Sequence, residues 1–499
     1  MEIQLLHFML IFSLFVTSMA ASLNRQSFPD DFLFGAATSA YQAEGASKVD
    51  GKGPNMWDIF THKYPGSSLS SSRGDVKIVK EIGLDALRFS ISWSRILPRG
   101  KLSGGVNQVG IQFYNALINE LLANGIKPFV TLFHWDVPQG LEDDYGGFLS
   151  YNIVDDFRDY VDLCFREFGD RVKYWATINE PNTFSINGYA NGVYAPGHCS
   201  MYIGNCTTGN SATEPYQVMH NLLLAHASAV KLFKQRYQES QKGVIGLTIS
   251  CNWFTPFSNS TEDLDAAVRA WDFKNGWVLE PITYGRYPQT MRSIVGSRLP
   301  HFTIEQSKML KHAYDFLGLN YYTANYAADD NSSTSITELS YTTDSHVVVT
   351  NDKDGVPIGE PTPINWLYIY PEGIRYMTKY VKDMYDDPPI IITENGVAQE
   401  NNLTLPFKEA LQDYQRIRYH TLHLTALLDA IRNGVNVQGY ILWSLLDDFE
   451  WNYGYSFRFG VNYIDYQNDL RRYLKYSALW FKTFLRKESA SDGLGYSPV

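Results

Sequence analysis

Short runs of aliphatic, β-branched and aromatic residues recur along the chain at 32–37, 86–93, 127–133, 173–180, 243–250, 316–322, 390–396 and 437–445. They show little polar alternation, which is the pattern of strands buried on both faces. Between several of them lie amphipathic stretches with apolar residues at helical spacing, Gly110 to Asn124, Ile153 to Phe168 and Asp413 to Asn433. Each ends at Gly or a Gly-containing turn, as crossover helices do. Strand–helix alternation implies a parallel sheet, and eight strands is the number that makes a barrel. The expected fold is α/β, a single (β/α)8 TIM barrel with elaborated loops at its C-terminal face. Neither a break in composition nor an internal repeat divides residues 21–499, which read as one domain. The polar stretch from Ala327 to Pro363 has little helical pattern and is too long for an ordinary connection, so an elaborated loop over the barrel mouth is expected there.

Composition narrows the function classes. The net charge is −11, from 42 basic against 53 acidic residues, which removes the electrostatic footprint of a nucleic-acid or anionic-membrane binder. Aromatic residues make up 15% of the chain, enough to supply flat stacking surfaces for sugar rings as well as a large core. The apolar segment Leu5 to Val16, followed by Thr17-Ser18-Met19-Ala20-Ala21, reads as a signal peptide over residues 1–20, and is too short for a transmembrane helix. Its amino-terminal region is weakly basic at best, since Glu2 is acidic. Secretory routing agrees with four N-x-S/T sequons, at Asn205, Asn259, Asn331 and Asn402. The C-terminus carries no lumenal retention signal. Of the four cysteines, Cys199 and Cys206 share one small loop and can close a ring in an oxidising compartment, while Cys164 and Cys251 sit in apolar runs as expected buried thiols. No Cys/His spacing resembles a metal site.

Two segments carry candidate chemistry. Thr177-Ile178-Asn179-Glu180-Pro181 and Ile391-Ile392-Thr393-Glu394-Asn395-Gly396 each deliver a glutamate from an apolar run to a loop. Alone, such a glutamate is as readily a solvated loop residue. Together they are the minimum equipment for cleaving a glycosidic bond, where one carboxyl must donate a proton while the other stays ionised. In a barrel both would face the mouth at the C-terminal ends of the strands. Other strand ends add Gln42, Arg88, His134-Trp135-Asp136, Asn320-Tyr321-Tyr322, Trp443 and Glu450-Trp451, the chemical character of a monosaccharide cage.

With these residues assembled, the chain resembles the plant members of glycoside hydrolase family 1, the retaining β-glucosidases, over essentially the whole mature chain. The resemblance is carried by Phe34-Gly35-Ala36-Ala37-Thr38-Ser39-Ala40-Tyr41-Gln42-Ala43-Glu44-Gly45, Arg88-Phe89-Ser90-Ile91-Ser92-Trp93, Phe133-His134-Trp135-Asp136, the two glutamate segments, and Trp443-Ser444-Leu445-Leu446-Asp447-Asp448-Phe449-Glu450-Trp451. It implies Glu394 as nucleophile, with Arg88 and Tyr322 holding its carboxylate and keeping it ionised, Asn320 as further nucleophile support, Tyr322 also among the substrate-binding residues, and Glu180 as acid/base. It implies that Asn179 holds the sugar 2-hydroxyl, that Gln42, His134 and Glu450 take the remaining hydroxyls, and that Trp443, Trp451 and Phe459 wall the sugar site. Trp366 would stack on the leaving group at the mouth. The implied reaction is double displacement on a small-molecule β-glucoside without cofactor or metal, with transfer to an alcohol as a side reaction. Thioglucosidases of this family usually carry glutamine at the acid/base position, so Glu180 points to O-glucosides. For a plant member the destination would be the cell wall, the extracellular space or the vacuole.

Two departures from the family pattern carry expectations. The segment before Asp75 is shorter than in related plant enzymes, leaving Asp75 to Ile82 as about two turns of first barrel helix and part of the wall uncovered. That shortening is the one feature favouring an impaired, sugar-binding alternative. Asn182 follows the Asn-Glu-Pro triplet where relatives often have Trp, and is expected to line the leaving-group side.

Overall fold

The computed structural model describes residues 23–45, 48–63, 74–330 and 338–486. Eight parallel strands alternate with helices: β1 Leu33–Ala37, β2 Ala86–Ser90, β3 Lys127–Phe133, β4 Tyr174–Asn179, β5 Val244–Pro256, β6 Phe316–Asp329, β7 Ile390–Glu394 and β8 Val437–Trp443. Each pairs in parallel with its sequence neighbours, and β8 pairs with β1, so the ladder returns to its start as a (β/α)8 barrel. All eight expected strands are present, because strands buried on both faces leave an unmistakable apolar run. The barrel interior is packed by a cluster that includes Leu33, Ala86, Phe129, Ala176, Phe316, Ile391 and Ile441. Phe129 and Phe316 meet edge to face there at 5.7 Å, filling the space below the mouth.

The outer layer comprises α1 Asp75–Ile82, α2 Gln108–Ala123, α3 Asn152–Phe168, α4 Glu214–Arg236, several short helices between Thr261 and Leu310, then α5 Glu372–Met384, α6 Tyr414–Arg432 and α7 Tyr476–Phe484. The amphipathic stretches read from sequence correspond to α2, α3 and α6.

The stretch 327–363 differs from expectation. Strands β5 and β6 run on past the barrel, paired to Pro256 and Ala327, and Val347–Thr350 adds antiparallel to the end of β6. Two small pairings follow, Asp352–Lys353 with Val356–Pro357 and Glu360–Pro361 with Tyr368–Ile369. The β-branched run Val347-Val348-Val349-Thr350 suits a half-exposed edge strand, which outweighs the polar composition around it. Residues 331–337 lie outside the described residues.

Helix α1 is as short as expected. Gly83 ends it in the left-handed region (φ 86°), donating its N–H to Lys80 and Val79 carbonyls. Val76, Val79 and Ile82 are buried, and Asp75 accepts from Arg472 Nε at 2.9 Å, tying α1 to the C-terminal segment. A cavity of about 50 Å³ remains beside it, lined by Val76, Leu87, Phe89, Phe113, Leu117 and Leu446 among others, where the wall is incompletely covered. The loop 64–73 that would compensate lies outside the described residues. So little of α1 anchors this wall that each buried methyl counts. Val79→Ala, at a site with no solvent exposure, is expected to cost about 2 kcal/mol. Chemical denaturation checks this, and an unchanged midpoint would mean that α1 contributes nothing to the core.

Candidate active site

Arg88 in β2 is fully buried and cannot shed its charge. Its Nη1 donates to Glu394 Oε1 at 2.5 Å, its Nη2 to Asn179 Oδ1 at 2.6 Å, and its Nε to Thr131 Oγ1 at 3.2 Å. The Tyr322 hydroxyl donates to the other Glu394 oxygen at 2.7 Å. Because Arg88 only donates, Asn179 must turn its carbonyl to Arg88 and its amide to His134 Nε2, 3.1 Å away. Burial, reinforced by the charge of Arg88, holds His134 well below its ordinary pKa. The neutral ring therefore accepts at Nε2 and carries its hydrogen on Nδ1, which has no partner among the described residues. His134 lines the site cavity.

Glu180 sits at the turn from β4 into the short helix Pro181–Tyr189, in the left-handed region (φ 44°, ψ 62°). A non-glycine residue held there marks a constrained turn. Its backbone N–H donates to Thr248 at the next strand, and its carboxylate Oε1 accepts from Asn320 Nδ2 at 2.7 Å. Thr393 Oγ1 donates to Asn320 Oδ1 at 2.7 Å and so fixes which end of that amide faces Glu180. The expectation that Asn320 supports the nucleophile is corrected here. Asn320 is the register partner of Glu394, but its side chain serves Glu180 and Asn179.

The electrostatics of the pair are unequal. Burial pushes Glu394 above the ordinary carboxylate range, the Arg88 ion pair pulls it back, repulsion from Glu180 adds to the rise, and the Tyr322 bond subtracts from it. Arg88 and Tyr322 thus both favour the ionised carboxylate, as expected, and offset part of the cost of burial. Glu180 has a single neutral donor on its carboxylate among the described residues and no cationic partner within ion-pair distance.

Both glutamates open on a cavity of about 410 Å³, the size of a small-ligand site. Buried Trp443, Trp451 and Phe459 wall one end. Glu450 joins them, accepting from Trp443 Nε1 at 3.4 Å, and burial raises it to about 7. At the rim Trp366 is 38% exposed and stands edge-on to Tyr322. The Cys199–Cys206 disulfide is formed, and Cys164 and Cys251 are buried thiols. The disulfide sits against Gly192, where a Cβ would lie 2.2 Å from Cys206 Sγ, next to the cavity-lining Val193 and Tyr194. Asn205, Asn259 and Asn402 are exposed, and Asn331 lies outside the described residues.

Two expected positions lie behind the cavity rather than on it. Gln42 is buried with its amide donating to the Phe449 carbonyl at 2.8 Å and its oxygen accepting from Ser39, so it braces the loop that carries Glu450. Asn182 is buried too, donating to the Ser250 and Lys274 carbonyls at 2.8 and 3.0 Å. Both amides find backbone partners that are distant in sequence. Sequence reading missed Lys274, Asn252 and Tyr194, which all line the cavity. Only Lys274 left a signal, a lone cation in the aromatic stretch Trp271-Asp272-Phe273-Lys274-Asn275-Gly276-Trp277.

This barrel, with a clamped and an unclamped carboxylate at the ends of its fourth and seventh strands, has the layout of a sugar-cleaving enzyme. The chain belongs to Glycosyl hydrolase family 1, which matches residues 24–490. It is 55% identical over 484 residues to Beta-glucosidase 17 of Arabidopsis thaliana, covering 95% of this chain and 93% of that one. It is 52% identical over 501 residues to Raucaffricine-O-beta-D-glucosidase of Rauvolfia serpentina, covering 94% and 93%. Among solved structures, the rice Os3BGlu6 beta-glucosidase superposes with a TM-score of 0.90 at 46% identity, over 93% of this chain and 100% of that chain. A mutant of the same rice protein, solved in a covalent complex with Glc, matches equally well, at TM-score 0.90 and 46% identity.

The reassignment of Asn320 is testable on glycosides. Asn320→Ala should slow substrates with poor leaving groups by about a hundredfold, the scale of general acid catalysis, and spare activated aryl substrates. Equal loss on both would return Asn320 to the Glu394 side.

Proposed function

We propose that the protein is a retaining β-glucosidase that releases glucose and an aglycone from plant O-glucosides. The observation that carries this reading is the asymmetry of the two carboxylates. Glu394, paired with Arg88 and Tyr322, is the anion that attacks the anomeric carbon. As that bond forms, the bond to the leaving oxygen breaks and Glu180 gives it a proton. In the second half Glu180 takes a proton from water, the water oxygen attacks the same carbon, and the bond to Glu394 breaks. Asn179, its carbonyl held by Arg88 and Asn320, takes the sugar 2-hydroxyl in this reading, where contacts strengthen toward the oxocarbenium-like transition state. His134 and Glu450 take further hydroxyls, and Trp443, Trp451 and Phe459 cover the apolar ring faces. Trp366 stacks on the aglycone. The names of the plant relatives and the covalent Glc complex of the rice mutant support this reading. The short α1 leaves both carboxylates with their partners, so it lends no support to the impaired alternative.

Glu394→Ala should abolish hydrolysis, with partial rescue by azide or formate, because a small anion fits the vacated space. Glu180→Ala should retain activated aryl glucosides and lose alkyl glucosides. Kinetics on both substrate types check this, and equal loss in the Glu180 variant would deny it the acid role.

The proposal extends to routing. Residues 1–20 act as a secretory signal, and Asn205, Asn259, Asn331 and Asn402 are glycan acceptors. The Cys199–Cys206 disulfide supports an oxidising compartment, the cell wall, extracellular space or vacuole. Protein secreted from plant cells should begin at Ala21 and lose mass on deglycosylation; retention of Met1 would overturn this routing.

A further inference from the structure

Lys274 has no part in the double displacement, yet the fold goes to some length to place it. It lies in the π-helical turn Asp272–Gly276 and lines the cavity. Such turns recur at functional sites. Two buried asparagines clip this turn to the end of β5. Asn182 donates to the Lys274 and Ser250 carbonyls, and Asn275 donates to the Asn252 carbonyl at 2.9 Å while accepting from the Asn252 N–H at 3.3 Å. Asn182 is also two residues from Glu180, so the lysine and the acid are held in one rigid frame.

The side chain has no matching provision. Among the described residues its Nζ makes no hydrogen bond or ion pair, and it is the one Lys or Arg lining the cavity. Burial disfavours its charged form, against which Glu180 is the first favourable charge. Glu180 supplies a counter-charge only while ionised. When it carries the proton destined for the leaving oxygen, the half-buried ammonium faces the cavity with no neutralising partner among the described residues. Lys274 is tied to the Glu180 segment through Asn182, whereas Glu450 lies with Trp443 at the other end of the cavity. The unneutralised charge is therefore on the leaving-group side.

We propose that Lys274 selects β-glucosides whose leaving group carries an anionic oxygen group, a carboxylate or sulfonate, close to the glycosidic oxygen. The bound anion takes the place of Glu180 as counter-charge during the step in which Glu180 is protonated. This rests on the glucosidase reading for the sugar half only.

The test compares carboxyphenyl and sulfophenyl β-glucosides with the neutral carbomethoxyphenyl β-glucoside, in the native chain, Lys274→Met and Lys274→Arg. The ratio of kcat/KM, anionic over neutral, is expected to fall by about tenfold in Lys274→Met, the scale of a charge-assisted contact, and to survive largely in Lys274→Arg. A ratio that Lys274→Met leaves unchanged overturns the proposal, as does a parallel loss on anionic and neutral substrates, which would mark Lys274 as structural. Calorimetric binding of the matching carboxyphenyl and carbomethoxyphenyl 1-thio-β-glucosides gives a readout independent of turnover. The native chain should bind the anionic analogue more tightly, with the advantage lost in Lys274→Met, even if the glucosidase reading failed. Equal binding of the two analogues by the native chain would also overturn the proposal.

Discussion

Arg88 is a guanidinium buried at the mouth of the barrel, so its surroundings must neutralise it and accept its hydrogen bonds. That requirement propagates outward. Glu394 is drawn to it as counter-ion, and Asn179 is forced to present its carbonyl. Through Asn179 the constraint reaches His134 on one side and Asn320 on the other, and Asn320 in turn reaches Glu180. Five strands of the barrel thus contribute to one hydrogen-bonded web in which each polar end has one permitted orientation. A web of this kind is satisfied as a whole or fails as a whole, which is why the two carboxylates keep different partners, Arg88 for Glu394 and Asn320 for Glu180.

A second buried web does the same for the loop after β8. Asp447 accepts from Arg458 and Lys475 at 2.6 and 2.7 Å, all three fully or nearly fully buried. The two cations hold Asp447 below the ordinary carboxylate range against burial, while burial pushes Lys475 down to about 8. With Gln42 bracing the Phe449 carbonyl, this fixes the loop that carries Glu450 and Trp451. The Glu450 and Trp451 end of the cavity therefore rests on buried charge pairs, whose exchange for apolar groups would cost placement more than stability. The opposite end is built differently, from the long β5–β6 extension, the π-helical turn and a disulfide-braced loop, and there Lys274 Nζ has no partner among the described residues.

The sequence alone determined the barrel, because strands buried on both faces must be apolar throughout, and it determined Glu180 and Glu394, because a charged residue ending such a run has nowhere to go but the mouth. It also showed that α1 is short, since helix length is local. Side-chain partners were another matter. Asn320, Gln42 and Asn182 are all amides able to serve a ligand, a carboxylate or a backbone carbonyl, and which they serve depends on residues up to hundreds of positions away. Tertiary structure also decided the edge strand in 347–350 and the facing of Lys274 into the cavity. Both follow from pairing with a distant element, β6 in one case and β5 at Asn252 in the other, and no local pattern of hydrophobic and polar residues encodes a partner at that distance.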